Sequence, residues 1–309
     1  MRNANWSFTV VAGIVRAMTL TGLFVPLITP FDRSGAVAPD ALEGLAHQAL
    51  DDGARGLVAL GTTGEPSSLT PAEQQAVVDV VRRVCRERHA PLVVGANTAQ
   101  ALGALAGLPE VVAALTTVPS FVRPGEEGAL AHLARLAADS PVPLVVYDIP
   151  YRTGQYLSAD ALRRLGDVPG VVGLKYSAGG INADTVALFA EQPPGLAILG
   201  GDDAFISPLL ALGAHGGILA SAHLATAEFV RLIDAWHGGD VVTGRTLGGR
   251  LATLSAALFA EPNPTVVKAV LHAKGRIPTP DVRLPLLPAH SDSTTAALRA
   301  WDSVTRPAP

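Results

Sequence analysis

The chain has one cysteine, Cys85, in 309 residues. That count excludes an intrachain disulfide and a thiolate metal cluster. Cys85 lies in the helical-looking run 77–88, where a lone thiol reads as inert apolar filler, in keeping with a reducing cytosol. Basic runs are absent too, and the formal net charge is −4, so the stripe that nucleic-acid binding needs is missing. Only 16% of residues are charged and 49% are hydrophobic, which supplies a large core and argues against disorder. The eight histidines form no His-x-x-x-His pair or His/acid triplet, so neither a metal nor another cofactor is expected. A Gly-x-Ser-x-Gly elbow is missing, as is a Gly-x-Gly-x-x-Gly turn after the first strand; hydrolase and dinucleotide readings lack support. Beyond the first twenty residues no apolar run is long enough to span a membrane. At the start, Arg2 and the apolar stretch 8–15 superficially resemble a signal peptide. The stretch is short and Arg16 ends it, so residues 1–20 read as a disordered extension or the product of a misplaced start codon.

Against these absences stands a regular alternation. Short apolar runs occur at 23–28, 56–60, 91–96, 112–118, 143–147, 171–175, 196–199 and 217–220. Amphipathic runs separate them, several with start signals such as Thr70-Pro71 and Ser158. The weakest helix is 98–107, which is short and broken by glycine. Eight strands alternating with helices predict a parallel sheet, and eight close a (β/α)₈ TIM barrel spanning 21–239. Residues 240–309 hold more helical pattern than a barrel requires and are expected to form a C-terminal helical extension.

Barrels of this kind place chemistry at the carboxyl ends of their strands. There Lys175 is the outstanding residue. The chain has twenty arginines and only three lysines, Lys175, Lys268 and Lys274. Arginine cannot form an imine, whereas lysine can, and burial readily lowers its pKa. The competing reading is a structural lysine paired with a carboxylate. Lys268 and Lys274 fall on a late helical segment, where solvated surface positions are expected. Gly61-Thr62-Thr63-Gly64 offers backbone N–H groups and two hydroxyls suited to a carboxylate, although such a sequence is often merely a turn. Tyr147, one of four tyrosines, places a hydroxyl at a strand end, as either a proton shuttle or a core aromatic. Arg152 suits a bidentate carboxylate clamp or an ordinary acidic neighbour. Asp202-Asp203 reads as a helix start, with the acids favoured by the dipole.

Taken together, FVPLITPF at 24–31, GTTGEPSSL at 61–69, YDIPYRTG at 147–154, VGLK at 172–175, GDD at 201–203 and EPNPTVVK at 261–268 resemble the dihydrodipicolinate synthase / N-acetylneuraminate lyase family. The segments occur in family order from about residue 22 to 287. The resemblance implies a Schiff-base lyase acting on pyruvate or a related 2-oxo acid, with an aldehyde as second substrate. It implies Lys175 as the imine-forming lysine, Tyr147 as its proton relay and Thr62 as the hydroxyl partner of that relay. Thr63, with Gly61 in the same turn, would hold the keto-acid carboxylate. The Ile218 carbonyl would face the keto acid, and Arg152 would clamp the carboxylate of the second substrate, as in the synthase branch. A cytoplasmic homo-oligomer, tetramer or dimer, is expected.

One departure bears on specificity. The synthase branch carries Pro-Tyr-Tyr-x-Arg-Pro after the fourth strand, and its second tyrosine completes the relay in a neighbouring subunit. Here the stretch is Pro119-Ser120-Phe121-Val122-Arg123-Pro124. Phe121 fills the same volume but passes no proton. The best single expectation is a 4-hydroxy-tetrahydrodipicolinate synthase. An aldolase or dehydratase of a 2-oxo-3-deoxy acid is the main alternative, and a non-catalytic keto-acid-binding barrel a distant one.

Overall fold

Strands covered on both faces must be apolar throughout, and this is how the eight strands read. The computed structural model describes residues 20–305, so the N-terminal extension expected over 1–20 lies, but for its last residue, outside the described residues. The strands are β1 (Gly22–Pro26), β2 (Gly56–Ala59), β3 (Leu92–Gly95), β4 (Val111–Thr117), β5 (Leu144–Asp148), β6 (Val171–Tyr176), β7 (Ala197–Gly200) and β8 (Gly216–Ile218). All pair in parallel in sequence order, and β1 returns to β8 with Phe24 opposite Ile218. This is the predicted (β/α)₈ barrel.

Alternation along each strand divides the core in two. Phe24, Val58, Val93, Leu115, Val145, Leu199 and Ile218 point inward and fill the barrel, with Leu20 among them. Their neighbours in sequence, such as Leu23, Leu57, Leu92 and Leu144, point outward against the helices. The helix Pro71–Arg88 begins at a full capping box: Thr70 accepts from the Glu73 N–H, and Glu73 accepts from the Thr70 N–H. As the sequence suggested, the helix after β3 is slight, only Ala99–Gly103.

Beyond the helix Ala222–His237 come three more, Val241–Leu258, Thr265–Ala273 and Ser291–Thr305. They pack back on the barrel. Leu247, Leu251, Leu254 and Leu258 repeat at helical spacing and are buried. Trp301 donates its indole N–H to the Leu224 carbonyl at 2.7 Å. Between the last two helices, Thr279 donates to the Phe31 carbonyl at 2.8 Å, and the Arg283 N–H donates to Glu65 Oε2 at 2.9 Å.

One expectation is overturned here. Lys268 is not a surface lysine: it is 0% exposed, with Nζ 2.6 Å from Glu65 Oε1 and 4.0 Å above the Phe31 ring. The cause is the helix around it. Val266, Val267, Val270 and Leu271 are all buried, so the helix is covered on every side and its cation must be paired inside. Lys274 is exposed as expected, its Nζ 3.8 Å above the Trp301 ring.

Candidate active site

The carboxyl end of the barrel holds a narrow cavity of about 20 Å³, and Lys175, Tyr147, Thr62, Thr63, Arg152 and Ile218 all line it. The residues singled out from sequence therefore meet in one place, and Gly61 is buried at the base of the same turn. A larger cavity of about 860 Å³ opens at the opposite end, among Thr21, Arg55, Pro91 and Glu110. The smaller one is the candidate site, because it lies at the carboxyl ends of the strands, where barrels of this kind place their chemistry.

Lys175 is near the end of β6 and only 6% exposed. Its register partner on β5 is Tyr147, and Nζ stands 4.0 Å from the centroid of that ring. Burial pushes the amine well below the ordinary lysine value; nearby Asp203 and Asp202 oppose the shift, and Arg152 adds to it. Burial likewise raises the Tyr147 phenol, which keeps its proton. Space for the lysine stem comes from a glycine. A Cβ at Gly201 would stand 2.6 Å from Lys175 Cε and 2.2 Å from Ser177 Oγ, closer than side chains approach.

Asp202 and Asp203 stand at the helix start that the sequence suggested, Asp202 at its N-cap and Asp203 in its first turn. The turn Asp203–Phe205 runs directly into the helix Ile206–Ala211, and Asp202 makes no side-chain cap bond to it. The Asp202 carboxylate accepts from the Gly179 N–H at 2.7 Å and the Tyr151 hydroxyl at 3.3 Å. Asp203 accepts from the Ser221 N–H at 2.5 Å, and burial raises its pKa while Lys175 and that N–H oppose the rise. Beyond their place at the helix start, the charges of both acids act on Lys175 and favour its protonated form. Behind Tyr147, burial and the charge of Asp202 push the Asp148 carboxyl up to about 7.

The turn after β2 is a 3₁₀ segment, Thr62–Gly64. Thr63 is buried, and its Oγ1 accepts from Asn263 Nδ2 at 2.9 Å. Thr62 is exposed at the mouth, and among the described residues no hydrogen bond joins it to Tyr147. Arg152 is exposed beside it, with no carboxylate within ion-pair distance among the described residues. Phe121 is 96% exposed and is not among the residues that line this cavity. Among the described residues no group of three or more His, Cys, Asp or Glu side chains is placed to hold a metal ion.

Three contributions escaped the sequence reading: the acids beside Lys175, the amide of Asn263, and the Glu65–Lys268 pair behind the turn. The last two had a signal. Both residues lie in the EPNPTVVK segment, and a lysine flanked by Val266, Val267, Val270 and Leu271 is poorly suited to a surface.

The chain is also similar to known proteins over most of its length. The dihydrodipicolinate synthetase family profile matches residues 19–301. A 4-hydroxy-tetrahydrodipicolinate synthase of Neisseria meningitidis is 33% identical over 287 residues, covering 91% of this chain and 97% of that protein. One from Synechococcus elongatus is 36% identical over 272 residues, 86% of this chain and 90% of that protein. Among solved structures, the chloride-inhibited dihydrodipicolinate synthase from Acinetobacter baumannii in complex with pyruvate superposes with a TM-score of 0.87. It is 32% identical, over 93% of this chain and 99% of that one.

Proposed function

Since the chain belongs to the dihydrodipicolinate synthetase family, we propose that it is a lysine Schiff-base lyase condensing pyruvate with aspartate semialdehyde, a 4-hydroxy-tetrahydrodipicolinate synthase. The observation that carries the reading is Lys175, buried at a strand end against Tyr147 with its pKa depressed. Burial favours the neutral amine, whose lone pair attacks the pyruvate C2 carbonyl. The resulting carbinolamine loses water to give the imine. Loss of a C3 proton then yields an enamine, whose carbon attacks the aldehyde.

Each step moves protons, and the Tyr147 hydroxyl is the nearest group suited to carry them. Thr63 has its hydroxyl oxygen occupied by Asn263 as acceptor, which leaves its proton for the keto-acid carboxylate. Thr62 and Gly61 complete that side of the pocket, and the backbone of Ile218 faces the substrate from β8. Arg152, at the mouth and with no ion-paired acid among the described residues, serves the carboxylate of the second substrate. The acids at 202 and 203 limit how far the amine is depressed and help disperse the positive charge of the imine.

Phe121 favours a second reading, a 2-oxo-3-deoxy acid aldolase or dehydratase, because its ring supplies no proton to an aldehyde substrate. Incubation with pyruvate and borohydride tests what both readings share. It should add one reduced adduct, mapped to Lys175; labelling at Lys268 or Lys274 instead would overturn the mechanism. Turnover of aspartate semialdehyde against a panel of 2-oxo-3-deoxy acids then separates the two. The assembly is a homo-oligomer, most simply a tetramer. Its support is the exposed pair Phe121 and Val122, 96% and 77% accessible on one chain, in the stretch the family uses at a subunit boundary. Light scattering showing a stable monomer at micromolar concentration would exclude it.

A further inference from the structure

The turn that carries the two threonines is held in an unusual backbone. Leu60 (φ 54°) precedes it and Glu65 (φ 53°) ends it; both are left-handed, and neither is glycine. Side-chain-bearing residues persist in that region only where their surroundings over-determine them. Here the surroundings come mainly from the far end of the chain. Lys268 Nζ donates to Glu65 Oε1 at 2.6 Å, the Arg283 N–H donates to Glu65 Oε2 at 2.9 Å, and Asn263 Nδ2 donates to Thr63 Oγ1 at 2.9 Å. From the barrel itself Thr29 donates to the Gly64 carbonyl at 2.8 Å, and the Ser68 hydroxyl donates to the Glu65 carbonyl at 2.9 Å.

We propose that Glu65 and Lys268 are positioning residues: their buried ion pair clamps the turn 61–65 onto the C-terminal helix Thr265–Ala273 and so fixes Thr63 for the keto-acid carboxylate. This deepens the Schiff-base reading and rests on it. A buried ion pair is a poor stabiliser, since desolvation offsets the attraction and a well-packed apolar pair often does as well. What an apolar pair lacks is direction. Glu65 takes one donor on each carboxylate oxygen, from Lys268 and from the Arg283 backbone, so its position is fixed on two sides. Glu65 is two residues from Thr63, and Lys268 is one helical stretch from Asn263, which holds the hydroxyl of Thr63. Both grips on the turn therefore issue from the single segment 263–268. The extension beyond the barrel is then part of the binding apparatus: Asn263 lines the cavity itself, and Glu65 and Lys268 act through the turn.

The test compares wild type with the double variant Glu65→Gln/Lys268→Met, which removes both charges at nearly constant volume. Borohydride trapping is followed across a pyruvate series, with thermal unfolding in parallel. A loosened turn weakens binding of the carboxylate and leaves the amine intact. The half-saturating pyruvate concentration should therefore rise about tenfold, while the trapping rate at saturation stays within about threefold. The single variant Glu65→Asp keeps both charges but withdraws the carboxylate by one methylene; it should shift half-saturation in the same direction, and serves where the double variant does not fold. Folded variants with wild-type half-saturation overturn the clamp. A wild type that forms no adduct overturns the Schiff-base reading itself, so the two failures are distinct.

Discussion

Lys175 on β6 and Tyr147 on β5 are register partners, and the lysine Nζ stands 4.0 Å from the centre of the tyrosine ring. Pairing of adjacent parallel strands fixes this distance without any loop, so the two groups are aligned by the barrel wall itself. An amine over a ring face keeps a neighbour but gains no full counter-charge, and burial depresses its pKa.

The pH dependence of trapping follows. Burial favours the neutral amine, so Lys175 loses its proton at lower pH than a free lysine. Pyruvate trapping should rise with pH and level off well below 10.5, the ordinary lysine value. Lys175→Arg should keep the fold and lose the adduct at every pH, because a guanidinium stays charged and forms no imine. A trapping rate still climbing near pH 10.5 would show that Lys175 is not depressed.

Gly201→Ala tests the space around the same lysine. The added Cβ would fall 2.6 Å from Lys175 Cε and 2.2 Å from Ser177 Oγ. Relief requires moving the lysine stem, and displacement of a reacting group by about 1 Å can cost on the order of 10²-fold in rate. Trapping by Gly201→Ala should slow by roughly that factor. Unchanged trapping kinetics in the folded variant would mean that the stem has room to spare.

Glu73 gives a prediction about stability and not chemistry. It closes the capping box of the helix Pro71–Arg88 and also meets Arg283 at 2.6 and 2.9 Å, tying that helix to the C-terminal segment. Its pKa falls from 4.5 to about 2, first through the Arg283 hydrogen bond and then through the Thr70 N–H. A depressed carboxylate contributes stability above its unfolded pKa and loses it as pH falls through the folded one. Both side chains are about a quarter exposed, so solvent screening trims the contribution to about 1–2 kcal/mol. Glu73→Gln should lower stability by that amount at pH 7 and by progressively less from about pH 4.5 down to about 2. Denaturant melts across that range measure it, and a constant difference would rule out the titration.

How much of this was legible in the sequence depended on the range over which each signal acts. The strands, their order and the placing of Lys175, Tyr147, Thr62, Thr63 and Arg152 around one mouth follow from local patterning plus the rule that barrel chemistry sits at strand carboxyl ends. Lys268 was misread because its partner Glu65 lies 203 residues away; the flanking valines signal burial but not the partner. The scarcity of lysine that singled out Lys175 applied equally to Lys268. Asp202-Asp203 carried a genuine helix-start composition and does begin the helical stretch 203–211, but the effect of both charges on Lys175 acts between separate strands and left no local signal. Phe121 was legible as a missing hydroxyl, whereas its exposure was not.

Phe121 supports the last prediction. Its ring is 96% exposed, its φ is 67°, and its N–H donates to the Thr153 carbonyl at 3.3 Å, one residue from Arg152. A strained, apolar and exposed residue near Arg152 suits insertion into the site of a neighbouring copy, where the synthase branch places a relay tyrosine. Phenylalanine there fills the volume and transfers no proton. Phe121→Tyr adds a single oxygen and keeps the backbone cost unchanged, since both residues carry the same Cβ and ring. Proton transfer of this kind is typically worth ~10²–10⁴-fold, so turnover of aspartate semialdehyde should rise by up to that range. Pyruvate trapping should not change, because Lys175, Tyr147 and Thr63 are untouched. Steady-state synthase assays and borohydride trapping on the same preparations separate the two effects. If the wild type already turns over aspartate semialdehyde as fast as Phe121→Tyr, the relay does not pass through this residue, and water or another hydroxyl delivers the proton.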